Sequence, residues 1–174
     1  MSKPQSEIKL RPIRAEDAEV LMALNNDKQI ADCVVGNPTV VTMEQQIKWI
    51  ERLSEEKNIM RWTICFGDKA VGTIFLSGID IVNSVGNVNI KILPSYQGKG
   101  IAKEALSMLC DIAFDELHLS CLTANVLSYN TKSKMLFENS GFQIDGILRS
   151  RVIKNEKRCD LIALSLLKEE RIRE

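Results

Sequence analysis

Two hydrophobic periods take turns along this chain. Residues 8–13 (IKLRPI) alternate apolar and polar, which predicts a first strand. Residues 16–24 then carry helical spacing, reached through Arg14, Ala15, Glu16 and Asp17. Residues 25–41 are polar and turn-rich and predict a loop with one short helical piece. At Thr42 a capping box, Thr42-Met43-Glu44-Gln45, opens a second helix expected to run to Lys57, with Met43, Ile47, Trp49, Ile50 and Leu53 as its buried stripe. Residues 61–66 and 71–76 read as a hairpin around Gly67, Asp68 and Lys69. Residues 87–93 put Val88, Ile90 and Ile92 on one face of a strand and Asn87, Asn89 and Lys91 on the other. A long helix is expected over 100–117, a strand over 122–127, a short helix ending at Gly141, and two closing strands over 143–153 and 159–166. That order predicts the α/β (α+β) class: a mixed, mostly antiparallel central sheet with helices on both faces. No linker or repeat interrupts it, so residues 1–174 read as a single domain.

The loop Gln97-Gly98-Lys99-Gly100-Ile101-Ala102 joins the strand over 87–93 directly to the long helix. Free backbone N–H groups at a helix start, the positive end of its dipole and glycines without Cβ atoms make an anion site there, suited to phosphate. The spacing excludes two common phosphate loops. G-x-x-x-x-G-K-[ST] is absent, and G-x-G-x-x-G fails at Lys103. What fits is Q/R-x-x-G-x-G/A, read at Gln97, Gly100 and Ala102. A second pattern, N-x-x-S-x-x-L-F-E-x-x-G-F, runs from Asn130 to Phe142. Ser128, Asn130 or Thr131 is placed to cap its helix, and Gly141 to end it.

On these two motifs the chain resembles the GNAT superfamily of acyl-CoA-dependent N-acyltransferases, over nearly its whole length. One branch it resembles is the ribosomal-protein N-terminal acetyltransferases; its second helix and loop are also loosely similar to those of polyamine and amino-sugar acetyltransferases. The resemblance implies the GNAT fold, acetyl-CoA as co-substrate and no metal. It implies that Gln97, Gly98, Lys99, Gly100, Ile101 and Ala102 grip the pyrophosphate, that main-chain groups at Ile92 and Leu93 bond the pantetheine and thioester, and that Asn130 contacts the CoA arm. Lys99 and Lys103 stand near the phosphates, either adding charge or simply solvated.

The same resemblance shows two departures. Many relatives have glutamate where this chain has Asn87, and tyrosine where it has Phe137. An alkyl amine is less than about 0.1% neutral at pH 7, so its proton must leave before attack. Asparagine cannot take that proton, which leaves Asp80, Asp160 or ordered water as candidates. Phenylalanine cannot protonate the leaving thiolate. Ser133, three residues after Asn130, is the candidate acid, its alternative role being a small residue that lets the cofactor approach; Tyr129 is a second possibility. A catalytically weak acyl-CoA-binding module of the same fold is the alternative to an N-acetyltransferase.

Composition bounds the partners. Formal net charge is zero, from 23 basic and 23 acidic residues, which argues against broad binding to nucleic acid or an anionic membrane. No apolar run reaches membrane-spanning length and the N-terminal residues hold no apolar signal core. Cys33, Cys65, Cys110, Cys121 and Cys159 are odd in number and scattered, which reads as buried reduced thiols in a cytoplasmic protein. A single histidine, His118, and no C-x-x-C pair leave little for a metal site. The acceptor is therefore expected to be a small-molecule or peptide amine: a protein N-terminus or lysine, a polyamine or an amino-sugar nucleotide. A monomer and a homodimer are both compatible with the sequence.

Overall fold

The structure, a computed structural model, describes residues 7–171; residues 1–6 and 172–174, the ends of the expected domain, lie outside the described part. Seven strands form one sheet: β1 (Ile8–Pro12), β2 (Met60–Phe66), β3 (Lys69–Asp80), β4 (Val85–Ile92), β5 (Cys121–Leu127), β6 (Gln143–Lys154) and β7 (Lys157–Leu167). Their spatial order is β1-β2-β3-β4-β5-β7-β6, antiparallel throughout except between β4 and β5. The helices are α1 (Ala18–Asn26), α2 (Lys28–Cys33), α3 (Met43–Glu51), α4 (Ile101–Asp111) and α5 (Thr131–Glu138).

The period-two pattern decides what each face of the sheet buries. On one face Ile64, Ile74, Leu76, Val88, Leu122 and Leu164 pack against α4 and α5 in the main core. Each such side chain contributes about 1.5–3 kcal/mol when fully buried. The opposite face holds a smaller apolar patch, in which Leu21, Leu24 and Ile30 of α1 and α2 meet Trp49, Ile50 and Leu93. Polar anchors supplement it. The buried Asp17 carboxylate accepts from both Arg11 guanidinium arms at 2.7 Å, from Thr63 Oγ1 at 2.7 Å and from Arg14 N–H at 2.9 Å. Burial alone would raise the Asp17 pKa, but these donors outweigh it and hold the carboxyl below its ordinary value.

The expected architecture is present, with local differences that have physical reasons. The first helix is delayed to Ala18 by a 3-10 turn at Ala15–Asp17 that engages the Asp17 carboxylate. The Thr42 capping box forms, yet α3 stops at Glu51, short of Lys57. Bulges between Ser77 and Asp80 in β3, and between Leu148 and Val152 in β6, break the alternation and hide the length of both strands. Of the five cysteines only Cys65 and Cys110 are buried, and Cys33 is exposed. Burial pushes the Cys110 thiol up to about 12. No helix among the described residues is long and apolar enough to cross a membrane.

Candidate active site

β4 and β5 run in parallel only at Val85↔Cys121, Gly86↔Leu122 and Asn87↔Thr123. From there β4 continues beside β3 and β5 continues beside β7, so the sheet opens as a V. The Leu93 N–H donates to the Val71 carbonyl at 2.9 Å. Alternation in an antiparallel ladder then directs the N–H and C=O groups of Ile90 and Ile92 away from β3, into the gap. The Ile92 carbonyl accepts from Gln97 Nε2 at 3.0 Å, leaving its N–H facing the opening. Leu93 does not offer the open main-chain groups expected of it, since its carbonyl also accepts from Tyr96 N–H at 2.9 Å. Ile90 takes its place. The strand alternation already held that signal, because Ile90 shares a face with Ile92.

At the mouth of the V lies the glycine loop. Gly98 and Gly100 have φ of +75° and +80°, in the left-handed region, and Gly100 is the residue from which α4 starts. A Cβ at either position would meet no protein atom within 4 Å. Packing therefore does not demand these glycines; the left-handed backbone turn does. Ile101 is buried and roots α4 in the core, so that it and Ala102 present first-turn N–H groups that lack intrahelical acceptors. Lys99 Nζ lies 5.0 Å from the centre of the Tyr96 ring. Backbone donors, dipole and a nearby cation fit a pyrophosphate, and Gln97 fixes the loop to β4.

The α1–α3 side of β4 carries a polar floor of neutral groups at Asn87 and Asn89, with Lys91 on the same face nearer the loop. Asn89 Nδ2 donates to Ser77 Oγ at 2.9 Å, and Asn87 Oδ1 accepts from Thr123 Oγ1 at 3.2 Å and from Asn125 Nδ2 at 3.4 Å. Along one edge, Arg61 pairs with Glu56 at 2.9 Å and lies over the rings of Phe75 and Trp49.

The second motif reaches across the gap to α2. Asn130 caps α5, its Oδ1 accepting from Ser133 N–H at 3.1 Å, while its Nδ2 donates to Cys33 O and Ser133 Oγ, each at 2.9 Å. Its backbone N–H goes to Leu127 O at 2.8 Å. The donors of Asn130 are thus engaged within the protein, and it positions Ser133 instead of offering a spare one to the CoA arm. Ser133 Oγ acts as acceptor in that contact, so its own hydrogen is available to donate. Tyr129 O–H, by contrast, is committed to Asp32 O at 2.7 Å. Burial raises its pKa. Lys154, buried at the end of β6, donates through Nζ to Ala31 O at 2.9 Å, to Gly36 O and to Asn37 Oδ1 at 3.2 Å. Tyr129, Asn130 and Lys154 together hold the C-terminal carbonyls of α2 from the other half of the sheet. The second motif marked Asn130, but no local pattern marked these contacts with α2, whose residues lie about a hundred positions away.

Neither carboxylate candidate joins the polar floor. Asp80 is partly exposed at the end of β3, accepting from Asn83 N–H at 3.0 Å and Asn83 Nδ2 at 2.6 Å, bonds that lower its pKa. It lies at the closed end of the V, opposite Val85. Asp160 Oδ1 accepts from Ser150 N–H at 2.6 Å and so stabilises the β6 bulge. There it lines an open hollow of about 710 Å³ with Leu148, Arg149 and Arg151. Phe137 is a core residue, its ring edge-to-face with Phe142 at 5.0 Å.

Comparison with known proteins agrees with this geometry. The family model for the acetyltransferase (GNAT) domain matches residues 7–143. An uncharacterised N-acetyltransferase, p20, of Bacillus licheniformis is 31% identical over 165 residues, covering 92% of this chain and 93% of the relative. The spermidine N(1)-acetyltransferase of Escherichia coli (strain K12) is 26% identical, covering 96% and 89%. Among solved structures, the spermidine N-acetyltransferase of Vibrio cholerae in complex with CoA and spermine superposes with a TM-score of 0.87 at 22% identity, covering 94% of this chain and 97% of that one.

Proposed function

The chain belongs to the GNAT acetyltransferase family, and from that premise we propose that it moves an acetyl group directly onto a small primary amine, with donor and acceptor held together where β4 and β5 part. Acetyl-CoA supplies an activated acyl group as a thioester. Gln97, Gly98, Lys99, Gly100, Ile101 and Ala102 hold its phosphates at the mouth of the V, and the N–H groups of Ile90 and Ile92 face its pantetheine arm. A preorganised backbone donor aimed at a developing oxyanion contributes roughly 2.7–4 kcal/mol in other acyl-transfer enzymes.

The acceptor enters from the α1–α3 side, over Asn87 and Asn89. The amide and hydroxyl groups of that floor orient the amine and the water that carries off its proton. Ser133 lends its free hydrogen to the departing sulfur. The observation that carries this reading is the parting of β4 from β5 with the glycine loop at its mouth. The spermidine acetyltransferase relatives support a small amine as acceptor.

The test is incubation with acetyl-CoA and a panel of amines, spermidine, N-terminal peptides and 4-amino sugar nucleotides among them, with products read by mass. A gain of one acetyl group on a panel member is the expected result. Acetyl-CoA bound tightly with no amine modified would favour the binding-module reading, which the lack of a carboxylate on the floor supports.

A further inference from the structure

Lys91 is the charged residue on the acceptor side of β4, next to Asn89 and at the margin of the patch that contains Leu93. Its surroundings lack the usual counter-charge. Nζ donates to Asn25 Oδ1 at 3.1 Å, and among the described residues no carboxylate pairs with it. The neighbouring charge is another cation, Arg61, whose own carboxylate partner is Glu56. Burial, with Arg61 adding repulsion, pulls the Lys91 pKa below the ordinary lysine value.

The cation also sets the polarity of a relay. Lys91 needs an acceptor, so Asn25 must turn its oxygen to it. Asn25 Nδ2 then faces α3 and donates to Gln46 Oε1 at 3.0 Å. That in turn orients Gln46, which is only 2% exposed, with its Nε2 unpartnered. This side of β4 thus presents a part-buried cation with spare hydrogens and a surplus of donors. Glu56, the acid at the edge of this floor, is already paired with Arg61. The open hollow at the β6 bulge has the same sign, with Arg149 and Arg151 on its wall and Asp160 already bonded to Ser150.

We propose that Lys91 is a specificity residue that selects an acceptor amine carrying an anionic group, a carboxylate or a phosphate, over a polyamine. The proposal rests on the acetyl-transfer reading for its context, but its binding half is separable from turnover. One ammonium hydrogen already goes to Asn25, and the remaining ones are available to an acceptor's anionic end.

The test uses three amines with short alkyl spacers: putrescine, 4-aminobutyrate and 3-aminopropyl phosphate. Each is titrated calorimetrically into the intact protein saturated with CoA, and each is also offered with acetyl-CoA. At least one anionic amine should bind about tenfold or more tighter than putrescine, the contribution expected of a charge-assisted hydrogen bond. Lys91→Met should bring the pair close to parity and Lys91→Glu should invert the order, while CoA binds all three proteins alike. Which anionic amine gains more tells carboxylate from phosphate. Putrescine binding best to the parent, no amine binding, or an order unmoved in Lys91→Glu would overturn the proposal. Lys91-dependent binding of anionic amines without acetylation would leave it standing and count instead against the transfer reading.

Discussion

The donor loop and the acceptor wall occupy opposite sides of β4 and are built by different means. The donor loop is contiguous, from Gln97 to Ala102, and its working groups are backbone N–H donors set by two left-handed glycines. The acceptor wall is assembled from distant segments. Lys154 meets Ala31 and Gly36, Asn130 meets Cys33, and Lys91 meets Asn25. A site written in backbone conformation tolerates change in most side chains and fails at its glycines. A site made of side-chain bridges fails by degrees, one bridge at a time.

The largest effect should come from the anchor under the wall. Asp17→Ala leaves the Arg11 guanidinium, itself 21% exposed, without its buried partner. Breaking such a pair costs about 3–5 kcal/mol, and denaturant unfolding should show a loss near the lower end. The same pair sets an acid limit. Because the folded Asp17 pKa lies below its ordinary value of 3.8, its stabilisation is complete above that value and is lost as pH falls through the folded one. Asp17→Asn should flatten the stability curve in that acid window and nowhere else.

Gly100→Val tests the donor side. A Cβ at this position meets no protein atom within 4 Å, so the main cost to the fold is left-handed strain, about 1–3 kcal/mol. Acetyl-CoA affinity should fall on the order of a hundredfold, through that strain and through a branched side chain where phosphates approach. An unchanged dissociation constant would place the phosphate site elsewhere.

Lys154→Met tests one bridge of the wall. Removing the ammonium strands the carbonyls of Ala31 and Gly36, a penalty of about 1–3 kcal/mol in stability. Steady-state kinetics should show the Michaelis constant for the amine rising severalfold while that for acetyl-CoA holds. Equal changes in both would mean that the wall and the loop are not separable.

These contrasts explain what the sequence revealed. Thr42 and Gln45 lie three residues apart and their reciprocal bonds form as the local pattern predicts. The alternation from Asn87 to Ile92 assigned those side chains of β4 to faces, because a strand's period sets which side each one takes. The glycine loop was legible for the same reason: its chemistry is local. Nothing in the local sequence sets Asp17 apart from other acids at a helix start, or Lys154 from other lysines near a strand end. Their burial depends on Thr63, 46 residues on, and on Ala31, 123 residues back. Hydrophobic periodicity does not encode the partner of a polar residue.

Smaller effects separate positioning from chemistry at the gap itself. Ser133→Ala removes the one hydroxyl hydrogen that its surroundings leave free, and keeps the backbone N–H that Asn130 caps. A thiolate of pKa about 8.5 is already a fair leaving group, so kcat should drop tenfold or less. The Michaelis constant for acetyl-CoA should stay put. A drop that vanishes with a more acidic thiol leaving group would assign the hydroxyl to protonation, whereas a drop that persists would make Ser133 a spacer.

The smallest effect is expected at Asp80, and it is informative because the residue type suggests otherwise. Its two oxygens take the N–H and the side-chain amide of Asn83, and it ends β3 at the closed end of the V. Asp80→Asn keeps an oxygen for the Asn83 N–H, so turn and fold should persist with kcat within about twofold, as for surface changes generally. If the acceptor's proton instead left through a carboxylate at this turn, kcat would fall by the roughly 10²–10⁴ that a general base contributes. A near-parental rate would therefore do more than clear Asp80. It would return proton removal to the neutral floor of Asn87, Asn89, Ser77 and Thr123, where water and not an acid side chain must accept it.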